Sequence, residues 1–301
     1  MKVLVTGATG LIGELCVKAL KNKYDVYGVY LHTKPDMDTS INWHCCDVLD
    51  IESITGLIKN VKPEMLLHLA WETEHGKYLT SHNNIDWAKA SFYLTEAFYT
   101  NGGKRAVFAG TCFEYDLSYG VLKEGVTPLN PSSVYALSKK FAYDLISSYT
   151  RENQLSMAWG RIFYVYGGKE NPERLVTYVI NSLVNNQIAV SSSGEQVRDY
   201  LHVQDVANAL SLLLENDYYG AVNICSNNTT KIRDIIYQIA GLIGKPELLK
   251  LDPSLDRPWE PKVVLGDNTI LKSLGWNPNY TLAEGINQAV DSYMLNIKAI
   301  L

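Results

Sequence analysis

The sequence has no excess of basic residues, because 27 Lys and Arg stand against 32 Asp and Glu in 301 residues, a formal net charge of −5. Proteins that bind nucleic acids or anionic membranes carry clustered positive charge, so this balance argues against both partners. Long apolar runs are also missing: the N-terminal stretch, MKVLVTGATG, is cut by glycine and lacks the length of a membrane span and the cleavage region of a signal peptide. We therefore expect a cytoplasmic protein that binds a small molecule.

Cysteines are few and are not spaced as metal ligands or disulfide partners. The chain has 5, an odd number, and none of them forms a CxxC pair. A disulfide framework and a zinc site are therefore not indicated. We expect reduced thiols and no metal.

What the sequence does contain is an alternation of short apolar runs with amphipathic stretches. The runs KVLVTG, DVYGVYL, EMLLHLAW and RAVFAG are separated by helical patterns such as LIGELCVKALKN. This order predicts an α/β fold with a doubly wound parallel sheet. Ligands of such sheets bind beyond the carboxyl ends of the strands, so the chemistry is expected there.

Glycines are concentrated between the first strand and the first helix. Gly7, Gly10 and Gly13 lie there, with Leu11 and Ile12 between the last two. A glycine-rich turn at a helix N-terminus lets the backbone approach a pyrophosphate, so this loop predicts a dinucleotide site rather than a plain tight turn.

Beyond about Tyr164 the pattern loosens into loops rich in Asn, Ser and Pro. They are interrupted by a helical stretch, VQDVANALSLLLEN, and an apolar strand, AVNICS. We expect a smaller lobe interleaved with the sheet. The predicted dinucleotide-binding (Rossmann) domain covers residues 1–163 and roughly 200–226, and the predicted substrate lobe covers 164–199 and 227–301.

A tyrosine and a lysine four residues apart open a later helix, in SSVYALSKK. Positions i and i+4 share a helix face, so the Lys139 ammonium can lie near the Tyr135 phenol and favour the phenolate. The spacing alone is not decisive, because Tyr30/Lys34 and Tyr119/Lys123 repeat it.

The glycine spacing GxxGxxG within TGATGLIG resembles the short-chain dehydrogenase/reductase superfamily, in which Tyr-x-x-x-Lys is the catalytic pair. VYALSKK follows the fifth strand, where the resemblance places that pair. The resemblance makes Tyr135 the proton donor or acceptor and lets Lys139 also hold the nicotinamide ribose. Counting from Tyr115 in AGTCFEYD, it places Thr111 at the catalytic hydroxyl.

Further blocks resemble the extended, sugar-nucleotide branch of that superfamily, and imply a nucleotide-sugar substrate. In CDVLD, Asp47 is implied to cap the adenine amino group beside Val48. LLHLAW resembles the strand next to the cofactor, with Leu69, Ala70 and Trp71 as implied contacts. Trp71 stands where that branch has a small residue.

Substrate contacts are implied by the second half of the same resemblance. RIFYVYG places Tyr164 where the branch usually has an asparagine, and GEQVRDYLHVQDVANAL makes Arg198 the diphosphate ligand. Arg257 in RPWEP matches an arginine that contacts the nucleotide, although an ion pair with a neighbouring carboxylate fits equally. Thr111 and Cys112 are expected at the substrate, with the Cys112 thiol buried and inert.

The residues after Thr111 distinguish the reactions of the branch. Its 4,6-dehydratases carry Thr-Asp-Glu, whereas this chain has Thr111, Cys112 and Phe113. Its epimerase-reductases place a cysteine two residues after the catalytic hydroxyl and a histidine after the YG loop. Here Phe113 takes the first position, and YGGKENPERL has no histidine. Reduction of a 4-keto-6-deoxy sugar nucleotide is therefore favoured, and 4-epimerisation with tightly bound NAD is the alternative.

The second strand bears on the choice of cofactor. An acidic residue at its end would bind the ribose hydroxyls of NAD, but Tyr30 stands there. His32 and Lys34 are placed to accommodate a 2′-phosphate, which favours NADP(H), with NAD(H) as the alternative.

Two further expectations rest on the resemblance alone. Non-catalytic dinucleotide sensors of the superfamily usually lose the Tyr/Lys pair, so such a regulator is a distant alternative. A homodimer is expected by analogy, through the helix after LLHLAW and the helix of Tyr135 and Lys139.

Overall fold

The structure, a computed structural model, describes residues 1–32 and 39–298. In chain order its strands are β1 (Lys2–Thr6), β2 (Asp25–Tyr30), β3 (Asn42–Cys45), β4 (Met65–His68), β5 (Arg105–Thr111), β6 (Val121–Leu122), β7 (Ser156–Ile162), β8 (Tyr164–Tyr166), β9 (Ala189–Ser191), β10 (Val197–Arg198), β11 (Tyr200–His202), β12 (Gly220–Ile224), β13 (Thr230–Lys231), β14 (Leu249–Leu251) and β15 (Val263–Gly266). Its α-helices are α1 (Gly13–Leu20), α2 (Ile51–Val61), α3 (Asn83–Thr100), α4 (Val134–Glu152), α5 (Leu175–Val184), α6 (Val203–Leu214), α7 (Ile232–Ile243), α8 (Thr269–Ser273) and α9 (Leu282–Lys298).

The main sheet has seven strands in the order β12-β7-β5-β4-β1-β2-β3, and all neighbours are parallel. The chain adds β2 and then β3 on one side of β1. It then crosses to the other side of β1, where it adds β4, β5, β7 and β12 in turn. The strand order thus reverses between β1 and β4, which is where such sheets bind their ligands. The predicted doubly wound α/β fold is confirmed.

Strand β1 shows how the sequence builds two layers of core. Val3 and Val5 pack with residues of α1 and α6 on one face, and Leu4 packs with residues of α2, α3 and α4 on the other. Successive strand residues point to opposite faces, so an uninterrupted apolar run such as KVLVT is what a strand covered by helices on both sides needs.

The second half of the chain adds smaller elements to this sheet. A four-stranded sheet has the order β13-β10-β15-β6, and two-stranded pairs join β11 to β8 and β14 to β9. Helices α5, α7 and α9 enclose a separate apolar cluster. The stretch VQDVANALSLLLEN forms α6 and AVNICS supplies all of β12 except its first residue, as predicted, and both belong to the main sheet layers.

None of the helices described is both long enough and apolar enough to span a lipid bilayer.

Candidate active site

The glycine loop connects β1 to α1 at the point where the strand order reverses. Gly7 has φ +67°, and a Cβ there would lie 2.8 Å from the Ala70 nitrogen. A Cβ on Gly13 would lie 2.0 Å from the Gly7 carbonyl oxygen, whereas a Cβ on Gly10 would have that oxygen as its one neighbour, at 3.3 Å. Helix α1 begins without a side-chain cap. The loop is therefore a close backbone cradle at an open helix N-terminus, which suits a pyrophosphate.

Strands β1 and β4 flank this crevice, and hydrogen bonds link their carboxyl ends. The hydroxyl of Thr6 lies 2.7 Å from His68 Nδ1 and accepts a hydrogen bond from Ala70 N at 3.3 Å. On its other side, His68 Nε2 lies 2.9 Å from the Ser91 hydroxyl. Burial lowers the pKa of His68 to about 3, so this imidazole is neutral and serves as a structural link.

Thr111, Tyr135 and Lys139 lie together, all buried, at the carboxyl end of β5. Tyr135 and Lys139 are both on α4. The Ser133 side chain caps this helix by accepting a hydrogen bond from Ala136 N, so the helix begins one residue before Tyr135. The Thr111 hydroxyl accepts a hydrogen bond from Phe113 N at 3.3 Å. Its own proton is therefore left to donate to Tyr135 or to a substrate oxygen.

The electrostatics of this group differ from the sequence prediction. Burial, and then the neighbouring Tyr78, raise the pKa of the Tyr135 phenol, while a hydrogen bond with Thr111 opposes them. Burial lowers the pKa of Lys139 to about 7 against the opposing attraction of the Glu114 carboxylate. The Lys139 ammonium donates to the Ala109 carbonyl at 2.7 Å. In this arrangement desolvation dominates, and Tyr135 is a protonated donor at neutral pH.

A buried carboxylate fixes the strand end that carries Thr111. Glu114 accepts hydrogen bonds from Thr111 N at 2.9 Å and from Trp159 Nε1 at 2.9 Å, and it pairs with Arg161 Nε at 2.8 Å. The pair is buried on both sides, and all of these bonds converge on one carboxylate. Glu114 thus holds the backbone of Thr111 rigidly.

One cavity of about 250 Å³ joins the glycine loop to this group. Eleven residues that the sequence predicted for the site line it: Gly7, Gly10, Leu11, Ile12, Gly13, Leu69, Ala70, Trp71, Thr111, Tyr135 and Lys139. The cavity is therefore continuous from the glycine loop to Tyr135 and Lys139. The residues present fit a bound nicotinamide dinucleotide.

The model of the NAD dependent epimerase/dehydratase family matches residues 3–225. The chain belongs to this family. It is 26% identical to dTDP-glucose 4,6-dehydratase of Salmonella typhimurium, over 98% of this chain and 93% of that protein. Its fold is similar to UDP-glucose 4-epimerase of Thermotoga maritima, with a TM-score of 0.87 at 23% identity, covering 99% and 100% of the two chains. It is also similar to MoeE5 in complex with UDP-glucuronic acid and NAD, with a TM-score of 0.84 at 25% identity, covering 98% and 100%.

In this epimerase/dehydratase-family protein, some predicted cofactor contacts lie outside the cavity. His32 is exposed after β2, and Asp47 is exposed after β3, where its carboxylate accepts from Leu49 N at 2.9 Å. Val48 is buried in the core. Because β2 and β3 follow β1 in the sheet, these residues lie at the same carboxyl edge, on the side away from Tyr135. Lys34 falls outside the described residues.

Of the predicted substrate contacts, Thr111 lines the cavity and the other four lie outside it. Cys112 is buried in an apolar cluster, as expected, and burial raises the pKa of its thiol. Arg198 is 2% exposed, pairs with Glu260 at 2.7 Å, and lies 5.7 Å from the ring of Tyr164. Tyr164 in turn packs edge-on against the cavity residue Phe113, and Arg257 is exposed. The roles of these residues stay predictions.

Two ionisable cavity residues were missed by the sequence reasoning. Arg174, just before α5, and Tyr78, in the loop after β4, both line the cavity. Tyr78 packs edge-on against Tyr135 with ring centroids 4.9 Å apart. Among the described residues, nothing accepts a hydrogen bond from the partly buried Arg174 guanidinium. The only sequence signal was an arginine after the YG loop, in NPERL.

Proposed function

We propose that this protein reduces the 4-keto group of a nucleoside-diphosphate 4-keto-6-deoxy sugar with a reduced nicotinamide dinucleotide. In this reaction a hydride adds to C4 and a proton adds to the C4 oxygen, so the ketone becomes a hydroxyl and the dinucleotide is oxidised. The proposal places the sugar beside Thr111 and Tyr135 and the dinucleotide along the glycine loop.

The observation that carries the proposal is the set of ionisable groups around the cavity. Of the residues that the structure describes, those lining the cavity include Tyr78, Tyr135, Lys139 and Arg174, but no Asp, Glu, His or Cys. Removal of water from a hexose requires a further acid and base, and inversion next to a ketone requires a base at carbon. Ketone reduction needs only the proton donor that is present.

Each of the catalytic side chains has a task in this reaction. Thr111 donates a hydrogen bond to the C4 oxygen and holds it near Tyr135, which donates the proton. Lys139, when charged, favours the phenolate that remains. The bound dinucleotide supplies the hydride, and the cradle of Gly7, Gly10 and Gly13 would hold its pyrophosphate.

A direct test mixes the protein with NADPH and a panel of 4-keto-6-deoxy sugar nucleotides made in situ by a dehydratase. We expect one panel member to be reduced, with cofactor consumed mole for mole. If the protein with NAD⁺ converts a saturated hexose nucleotide to its 4-keto-6-deoxy product, the reaction is dehydration and the proposal is wrong.

The second candidate is 4-epimerisation of a nucleoside-diphosphate hexose. It is supported by the same observation, because hydride removal and return at C4 also need only Thr111, Tyr135, Lys139 and a bound dinucleotide. The two reactions differ in whether cofactor is consumed and whether it stays bound through turnover.

Arg174 is proposed as a contact to the substrate diphosphate, because this cation lies at the cavity wall and no carboxylate of the described residues is within ion-pair distance of it. We expect Arg174→Ala to raise KM for the sugar nucleotide about tenfold or more, as for loss of a hydrogen bond to a charged group, with little change in cofactor affinity. Steady-state kinetics measures both. Arg151→Ala, which removes an exposed arginine at the end of α4, is the matched control. Equal effects on substrate and cofactor would contradict this role.

We propose NADPH as the preferred cofactor, because β2 ends at Tyr30 and the described residues after it, Leu31 and His32, include no carboxylate. A carboxylate there would bind the ribose hydroxyls of NADH and repel a 2′-phosphate. The NAD in the name of the family and in the MoeE5 complex points the other way. Fluorescence titration with both reduced cofactors is expected to give the lower Kd for NADPH, and a lower Kd for NADH would contradict this preference.

We propose a homodimer formed by α3 and α4. Leu137 and Phe141 on α4 are 58% and 54% exposed, and Ile85 and Tyr93 on α3 are 48% and 45% exposed. The two helices pack side by side, so these apolar side chains give one adjoining surface. We expect Phe141→Glu to convert a dimer into a monomer in sedimentation velocity. A monomeric wild-type protein would contradict the proposal.

A further inference from the structure

Trp71 occupies the position after β4 where the resembled branch has a small residue, and its indole is fixed from two sides. The ring nitrogen donates to Asn84 Oδ1 at 2.7 Å, and the ring stacks on Trp87 with centroids 6.1 Å apart. Asn84 is itself held, because its amide donates to the carbonyls of Tyr78 and Ser81 at 2.6 and 2.8 Å. The orientation of the indole is therefore set independently of Lys139.

The face of this indole lies against the Lys139 ammonium. The Lys139 nitrogen is 3.7 Å from the ring centroid, and among the described residues it donates its one hydrogen bond to the Ala109 carbonyl. The side chain is 4% exposed, and within the described part of the chain no carboxylate lies at ion-pair distance from it. An indole face attracts a cation more strongly than the other aromatic rings do. The indole face of Trp71 and the Ala109 carbonyl are thus both in direct contact with this buried ammonium.

We propose that Trp71 is a positioning residue whose indole face holds the Lys139 ammonium charged between the Ala109 carbonyl and Tyr135. The effect of this contact on catalysis rests on the proposed function, in which Lys139 acts beside the proton donor Tyr135. The contact itself is a property of the resting protein.

Of the other groups that face Lys139, Tyr135 packs edge-on against Trp71, whereas Glu114 and His68 are held by other residues. The carboxylate of Glu114 is held by Arg161 and Thr111 N, His68 is neutral, and Tyr135 is protonated. Removal of the indole leaves the ammonium buried with one acceptor. The pKa of Lys139, already lowered by burial to about 7, must then fall further.

The experiment titrates Lys139 without substrate, by NMR of protein labelled with carbon-13 at the lysine ε position. Lys139→Arg identifies the resonance. We expect Trp71→Leu to lower the apparent pKa of Lys139 by about half a unit to one unit, and Trp71→Phe to lower it by less. Trp43→Leu is the matched control, because Trp43 lies on the edge strand β3 and packs in the apolar layer on the opposite face of the sheet from Trp71. We expect that control to leave the pKa of Lys139 unchanged.

An unchanged pKa in Trp71→Leu, or an equal fall in Trp43→Leu, overturns the proposal. If Trp71→Leu does not fold, the comparison of Trp71→Phe with wild type decides, because the smaller ring keeps the packing and weakens the attraction. With an active enzyme, the loss of activity at alkaline pH is expected to shift to lower pH by the same amount. If the titration succeeds while no sugar nucleotide is reduced, the proposed function fails and the Lys139 contact stands.

Discussion

Tyr135→Phe is expected to lower kcat by roughly a hundredfold to ten-thousandfold, the contribution of a well-placed general acid, while Kd for the reduced dinucleotide stays within about twofold. The substitution removes one oxygen. The phenol ring, which packs edge-on against Tyr78 at 4.9 Å and Trp71 at 6.4 Å, is retained. The fold and the cavity wall are therefore unchanged, and the proton donor is lost.

Stopped-flow kinetics and fluorescence titration of the same preparation measure the two quantities. Tyr143→Phe is the matched control, since Tyr143 lies on the same helix but lines a different cavity. We expect that variant to retain near-normal kcat. A Tyr135→Phe protein with more than about a tenth of the wild-type rate would remove Tyr135 from the role of proton donor.

Gly10→Val is expected to abolish measurable dinucleotide binding while the protein stays folded. A Cβ on Gly10 would meet only the Gly7 carbonyl oxygen, at 3.3 Å, so the remaining side-chain atoms extend into the cavity rather than into the core. They would occupy the space that the backbone cradle leaves for a pyrophosphate. Gly13 differs, because a Cβ there would lie 2.0 Å from the Gly7 carbonyl and would push the loop away from α1.

Calorimetric titration with NADPH, together with thermal unfolding, separates these outcomes. Gly56→Val is the control for a valine at a glycine position, since a Cβ there meets nothing within 4 Å and Gly56 lies in α2, outside the cavity. We expect Gly10→Val to unfold near the wild-type Tm, and Gly13→Ala to unfold at a lower one. Unchanged affinity in Gly10→Val would show that the loop does not hold the dinucleotide.

The parts of the site that were predictable from the sequence are those set by local spacing. The glycine loop is a single turn between β1 and α1, and Tyr135 and Lys139 share one face of α4. Each pattern therefore lies within one short stretch of the sequence. The parallel sheet was predictable for a similar reason, because apolar runs and helical patterns alternate along the chain.

What could not be predicted depends on side chains that meet from distant segments. Glu260 pairs with Arg198 across 62 positions, and Trp71 reaches Lys139 from the end of another strand. Arg174 enters the cavity because the segment before α5 folds over it, which no spacing in NPERL indicates. The effect of burial on Lys139 and Tyr135 likewise follows from packing, since exposed residues of the same types would titrate normally.

The proposed reaction differs from the one named for the 26% identical relative, a 4,6-dehydratase. Among the described residues, no carboxylic acid lines the cavity. Of the two residues that follow Thr111, Cys112 is buried away from the cavity and Phe113 is an apolar part of its lining, so we expect the chemical difference to lie at these positions.

Transfer of deuterium from the cofactor to the sugar tests the proposed reduction most directly. The protein is incubated with NADPH carrying deuterium on both hydrogens of nicotinamide C4 and with a 4-keto-6-deoxy sugar nucleotide, and the product is examined by NMR. The account predicts one deuterium bound to C4 of a 6-deoxy sugar for each cofactor oxidised. A product without deuterium at C4, or inversion of a saturated sugar nucleotide at C4 with no added cofactor consumed, would contradict it.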